Sequence, residues 1–123
     1  MADSSVLTKD NLSKKKPTMV MIFSPECEHC HYTTEQILKH IDKFKNIQIL
    51  MVSREDYDFI KQFYNEFKLG DHPNIIVGRD PSYFLGTFYK VRAFPSIYLY
   101  DKKGNFVKFF DGSEPVETIP DAL

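Results

Sequence analysis

The sequence contains two cysteines, and both fall in one tetrapeptide, Cys27-Glu28-His29-Cys30. A bridge at this spacing closes only a tiny loop, so it restrains little of the unfolded chain and staples no distant segments. The pair suits chemistry better than stability. Cys27 follows the apolar run Thr18 to Phe23 and then Ser24-Pro25, where a helical pattern begins. Free backbone N–H groups and the helix dipole at such a point favour a thiolate. Cys30 falls in the first turn on the same face, placed to attack a mixed disulfide formed at Cys27. Cys27 is therefore the predicted nucleophile and Cys30 the predicted resolving thiol. His29 and Glu28 are predicted to tune the couple in opposite senses. A protonated or donating His29 stabilises the thiolate, and Glu28 opposes it by like charge. Stabilising the reduced form by ~1.4 kcal/mol raises the potential by about 30 mV, so modest tuning matters.

Other chemistries share these residues. Cys27 to His31 also fits the haem-attachment pattern Cys-x-x-Cys-His, with His31 as axial ligand. A zinc site would use both thiols with His29 or His31, but one Cys pair at a helix start encloses an ion poorly. His40 and His72 read as surface residues. A thiol peroxidase would use Ser24 before Cys27 and Arg92 as its cation, although Val20 stands where the peroxidatic motif has proline. A non-catalytic binding module with a vestigial pair is the remaining alternative. Neither a cofactor nor a metal is expected.

The second informative residue is Pro95, in Val91-Arg92-Ala93-Phe94-Pro95-Ser96-Ile97. A proline just before a strand is usually trans, since only ~5–6% of such bonds are cis. A cis bond would leave the Phe94 backbone free to pair with an extended substrate segment.

The elements that must position these residues emerge from hydrophobic patterning. Thr18 to Phe23 and Ile47 to Val52 are apolar throughout and read as strands buried on both faces. Between them, Ile37, Ile41 and Phe44 mark one face of a helix running to about Lys43. Ser53 and Asp56 resemble a capping box opening a second helix, with Phe59, Ile60, Phe63 and Phe67 inward and a stop at Gly70. Asn74 to Val77 is a third strand, and Asp80-Pro81 starts a third helix carrying Phe84, Leu85 and Phe88. Ile97 to Tyr100, a turn ending in Gly104, and Phe106 to Phe110 form a hairpin. Ser113 to Leu123 is at most one short helix, weakened by Pro115 and Pro120. This order predicts an α/β fold: a mixed central sheet, helices on both faces and a C-terminal antiparallel hairpin.

Composition agrees. The 123 residues are 42% hydrophobic and 27% charged, with a net charge of −1, as in an ordinary soluble globular domain. Near-neutral charge argues against nucleic acid, and Lys14 to Lys16 reads as a solvated run. No apolar stretch approaches the ~20 residues of a membrane span, and no apolar leader opens the chain. The expectation is one domain over 1–123, with 1–16 a polar, loosely ordered lead-in, and a monomer.

Together these features resemble the thioredoxin superfamily across about residues 15–112. Phe23-Ser24-Pro25-Glu26-Cys27 is similar to the family's approach to its nucleophile, and Cys27 and Cys30 match the nucleophilic and resolving positions. Phe94-Pro95-Ser96 and Ile97-Tyr98-Leu99-Tyr100-Asp101 resemble its cis-proline loop and following strand. The resemblance therefore implies a cis Pro95, with Phe94 and Pro95 binding substrate. The additional unit from Asn74 to Val91 resembles the TlpA-like and peroxiredoxin-related branch, whose members are commonly extracytoplasmic reductases or cytochrome-maturation partners. The function implied by this resemblance is that of a protein-disulfide oxidoreductase, acting on protein dithiols or disulfides with a redox partner. The compartment stays open, extracytoplasmic being favoured if a signal was removed and cytoplasmic otherwise. Two departures stand out. Glu26 replaces the usual tryptophan, and Met21 occupies the place of thioredoxin's buried aspartate. Glu26, Glu28 and Glu35 are the candidates to assist proton transfer in its stead, although each also reads as a solvated carboxylate.

Overall fold

A computed structural model of the chain describes residues 16–80, 94–111 and 114–123. Five strands, β1 (Thr18–Ile22), β2 (Gln48–Ser53), β3 (Ile75–Arg79), β4 (Ser96–Tyr100) and β5 (Phe106–Phe110), form one sheet in the order β3-β2-β1-β4-β5. β1 and β2, and β2 and β3, pair in parallel, whereas β4 runs antiparallel to both β1 and β5. This is the mixed sheet expected of a thioredoxin fold.

The parallel pairs are joined by α1 (Glu28–Lys39) and α2 (Tyr57–Glu66). Two right-handed crossovers stepping in the same direction place both helices on the same face. The packing agrees, because Met19, Met21, Ile49 and Met51 of the strands share one core with Cys30 and Ile37 of α1 and with Ile60 and Phe63 of α2. The opposite face is also dry, where Val20, Ile22, Leu50, Val52 and Tyr98 form a second cluster. The central strands are thus buried on both sides, as their unbroken apolar runs require.

The predicted third helix, with Phe84, Leu85 and Phe88, lies outside the described residues, as does the lead-in through residue 15. Several boundaries differ from expectation. α1 ends at Lys39 rather than near Lys43, because the His40 N–H is shared between the Gln36 and Ile37 carbonyls, at 3.1 and 3.2 Å. The chain continues as a 3₁₀ turn, Ile41–Phe44, which still buries Phe44. The Ser53–Asp56 capping box does not form. Ser53 remains in β2, where its carbonyl accepts the Asp80 N–H and its hydroxyl accepts the Glu55 N–H, so Asp56 becomes the residue preceding α2. Phe59, expected inward, is 43% exposed; Ile60 and Phe63 alone define the buried face of α2.

α2 also stops before Gly70, where Lys68 turns the chain at φ 52 into the 3₁₀ turn Leu69–Asp71. Gly70 serves another purpose. The Tyr64 hydroxyl would lie 2.6 Å from a Cβ there, so only glycine admits it without a shift. In the β4–β5 hairpin Gly104 takes φ 84. Asp101 accepts backbone N–H bonds from Asn105 and Lys103, which hold its carboxyl below the usual range. The C-terminal helix is a 3₁₀ segment, Val116–Ala122, that tolerates Pro120 inside it and buries Val116 and Ile119.

Candidate active site

β1 delivers the chain into the cysteine tetrapeptide, and β4 brings the second loop to meet it. In the antiparallel register Ile22 lies opposite Ser96, so the Phe94–Pro95 peptide reaches the same end of the sheet as Cys27. That peptide bond is cis. The Phe94 carbonyl lies 3.8 Å from Cys27 Sγ, whose S–H donates to it, while Pro95 is buried.

Cys27 is the N-cap of α1. Its backbone is extended (φ −83, ψ 118), and its sulphur accepts the Cys30 N–H at 3.3 Å. The sulphur thus takes the capping place that Ser, Thr, Asp or Asn usually fills. It is half-buried, whereas Cys30 is fully buried, and both thiols are free. Burial pushes the Cys30 thiol far above the usual range. The Ser24 backbone counteracts this in part, and the neighbouring Cys27 sulphur reinforces it. Ser24 also serves Cys27, because its carbonyl accepts the Cys27 N–H at 3.1 Å. The Ser24 backbone therefore bonds the Cys27 N–H on one hand and the Cys30 sulphur on the other.

Glu28 and His29 lie on the exposed side of the first turn, and Glu26 and Glu35 are exposed as well. Met21 is fully buried in the same core cluster as Cys30. Arg92 lies outside the described residues.

His31 has a role the sequence did not reveal. Its Nε2 is 2.6 Å from the Pro25 carbonyl, and its Nδ1 is 3.7 Å from Glu66 Oε2. The ring meets Phe63 and Phe67 edge-on, each at 5.3 Å between centroids. The Nε2 bond and the ring contacts together tie the Pro25 loop to Phe63 of α2 and to Phe67 just beyond it. Among the described residues, no three histidines, cysteines or carboxylates converge as a metal site would require. Two threonines, Thr33 and Thr34, are also buried in α1. The Thr34 hydroxyl donates to the Cys30 carbonyl at 2.8 Å, a local bond that occupies it within the helix.

Comparison with known proteins agrees with this geometry. The profile of the thioredoxin-like domain matches residues 6–123. The thioredoxin domain of a thiol-disulfide oxidoreductase from Bacteroides vulgatus superposes with a TM-score of 0.70 at 25% identity, over 88% of this chain and 79% of that one. A secreted Mycobacterium tuberculosis disulfide oxidoreductase superposes at 0.70 with 17% identity, over 85% and 75%. The DsbF protein of the same organism gives 0.74 with 15% identity, over 93% and 81%. No curated protein sequence matches significantly.

Proposed function

Because the chain belongs to the thioredoxin-like domain family, we propose that it is a thiol–disulfide oxidoreductase that exchanges disulfides with protein substrates through Cys27 and Cys30. One observation carries this reading. The sulphur at the helix start is half-buried, with the Cys30 N–H on one side and the Phe94 carbonyl on the other, and the second thiol sits fully buried behind it.

The steps build on that arrangement. The Cys27 thiolate attacks one sulphur of a substrate disulfide. The substrate S–S bond breaks, and the departing substrate thiolate takes a proton from water. Cys30, once deprotonated, attacks Cys27 Sγ and releases the second substrate thiol. The chain is left with a Cys27–Cys30 disulfide, and two electrons have passed to the substrate. A partner dithiol reverses the sequence, so the same site serves either direction. Phe94 and Pro95 hold the substrate segment, the Phe94 backbone lying beside the attacking sulphur. Glu28 and His29, both at the exposed rim, tune the couple.

The same reading takes residues 1–123 as one thioredoxin-like unit, acting as a monomer, with no cofactor, on the TlpA-like branch. The match over 6–123 supports the first point. A location outside the cytoplasm fits the secreted character of the Mycobacterium tuberculosis neighbour. No described helix is long and apolar enough to cross a membrane.

The roles of the thiols are tested by trapping. Cys30→Ser accumulates mixed disulfides on Cys27, identified by non-reducing electrophoresis and mass spectrometry, and Cys27→Ser accumulates none. Trapping confined to Cys27→Ser reverses the roles, and trapping by neither variant removes the reading.

A further inference from the structure

A groove opens between α1 and α2 directly beside the cysteine pair. Its near lobe, about 200 Å³, is lined by Pro25, Glu26, Phe59, Phe63 and Glu66, with His31 at its inner end. Pro25 and Glu26 run straight into Cys27, so a polypeptide laid over Cys27 comes within reach of this lobe. A second lobe of about 500 Å³ continues past the His31–Glu66 bridge toward Leu38 and Phe67.

The near lobe combines two features. Its floor is aromatic: Phe63 is buried, its ring tilted against those of Phe23 and Phe67 with centroids at 4.7 Å, while Phe59 stands 43% exposed. An exposed phenylalanine on an otherwise amphipathic helix leaves apolar surface in water beside a reactive thiol. Its walls are acidic. Glu26 and Glu66 are both exposed, and neither Lys nor Arg lines this lobe. The chain as a whole carries a net charge of only −1, and Lys68 lines the second lobe, so the negative character is local to the near lobe.

We propose that this groove docks the segment flanking the reactive cysteine of the protein substrate, and selects segments in which Lys or Arg stands beside an aliphatic or aromatic residue. This rests on the oxidoreductase reading above and adds a substrate class to it. The apolar side chain covers Phe59 and the edge of Phe63. The cation sits between Glu26 and Glu66, within reach of the Phe59 ring face. Exposed carboxylates act chiefly by steering encounter, so the preference appears in association rate and weakens with salt.

The test uses the reduced full chain and two synthetic peptides. Each carries one cysteine as a mixed disulfide with 2-mercaptoethanol, flanked by Lys-Leu in one and Glu-Leu in the other. The second-order rate of 2-mercaptoethanol release is read at low and high salt. The Lys-Leu peptide is expected to react about tenfold faster at low salt, the lower end of the steering range. That ratio should shrink at high salt and in Glu26→Gln and Glu66→Gln. Equal rates for the two peptides overturn the inference. So does a ratio that survives both substitutions, which traces the preference to the thiolate's own charge. Bis(2-hydroxyethyl) disulfide, which is small and uncharged, separates the two levels. A chain inert toward it overturns the oxidoreductase reading itself, while a chain that reduces it without peptide preference overturns only the groove's role.

Discussion

At the scale of single residues, the bond from His31 to the Pro25 carbonyl has the widest consequence. A carbonyl only accepts, so the 2.6 Å contact fixes a proton on Nε2; Nδ1, facing Glu66, carries one only in the imidazolium form. The ring thereby holds the strip whose Ser24 backbone bonds the Cys27 N–H and the Cys30 sulphur. His31→Phe keeps an aromatic ring against Phe63 and Phe67 but loses the donor. Resolution of a Cys27 mixed disulfide is expected to slow about fivefold, the equivalent of one lost hydrogen bond of ~1 kcal/mol. His31→Asn, which retains an N–H, should recover part of the rate in quenched-flow measurements. Equal lifetimes in the two variants would refute the clamp. The sequence could not show this, because the acceptor is a backbone carbonyl and the second partner comes from α2. Cys27, Cys30 and Pro95 stood out as candidates because the chemistry proposed for them depends on residue type and on neighbours close in sequence. The cis state of Pro95 was implied only by family resemblance, since the residue alone favours trans.

At the scale of elements, α2 separates periodicity from packing. Phe59 and Phe63 lie one turn apart, and the pattern placed both inward. Phe63 is buried against Phe23 and Phe67, whereas Phe59 lies toward solvent. Phe63→Ala should cost about 3–5 kcal/mol through lost burial and an unfilled cavity. Phe59→Ser should stay within about 0.5 kcal/mol, as surface changes do. Urea midpoints of the two variants provide the check, and comparable losses would mean that Phe59 is buried in solution. The strands were more legible than the helix ends. Continuous apolar runs such as Met19 to Phe23 mark strands plainly, and β1 to β5 fall on the five segments expected from the patterning. Helix ends depend on which carbonyl a given N–H finds. Ser53 was read as a cap but is held by the sheet, where Asp80 donates to its carbonyl at 2.8 Å. That competition between ladder and helix is absent from local sequence.

At the scale of the whole molecule, the buried thiol links redox state to stability. In the reduced fold Cys30 is held protonated by burial, whereas in the unfolded chain an ordinary thiol ionises near pH 8.5. Above that pH the unfolded chain binds fewer protons than the folded one, so the stability of the reduced protein falls as pH rises. The slope from this one group approaches about 1.4 kcal/mol per pH unit and persists until the folded thiol itself ionises. Below pH 8.5 the thiol is protonated in both states and contributes no slope. The oxidised protein has no thiol proton to lose, so its unfolding curve lacks this component. The gap between oxidised and reduced stability should therefore widen with alkaline pH. By the same cycle, the oxidised state of the folded pair should gain relative to that of an unfolded Cys-x-x-Cys peptide. Urea unfolding of both redox forms at successive pH values above 8 measures the gap, and reduced Cys30→Ala should lose the Cys30 component of the slope. Parallel curves for the two redox forms would mean that Cys30 ionises in the fold as readily as in water. Burial of Cys30 would then exert no hold on the redox balance of the Cys27–Cys30 couple.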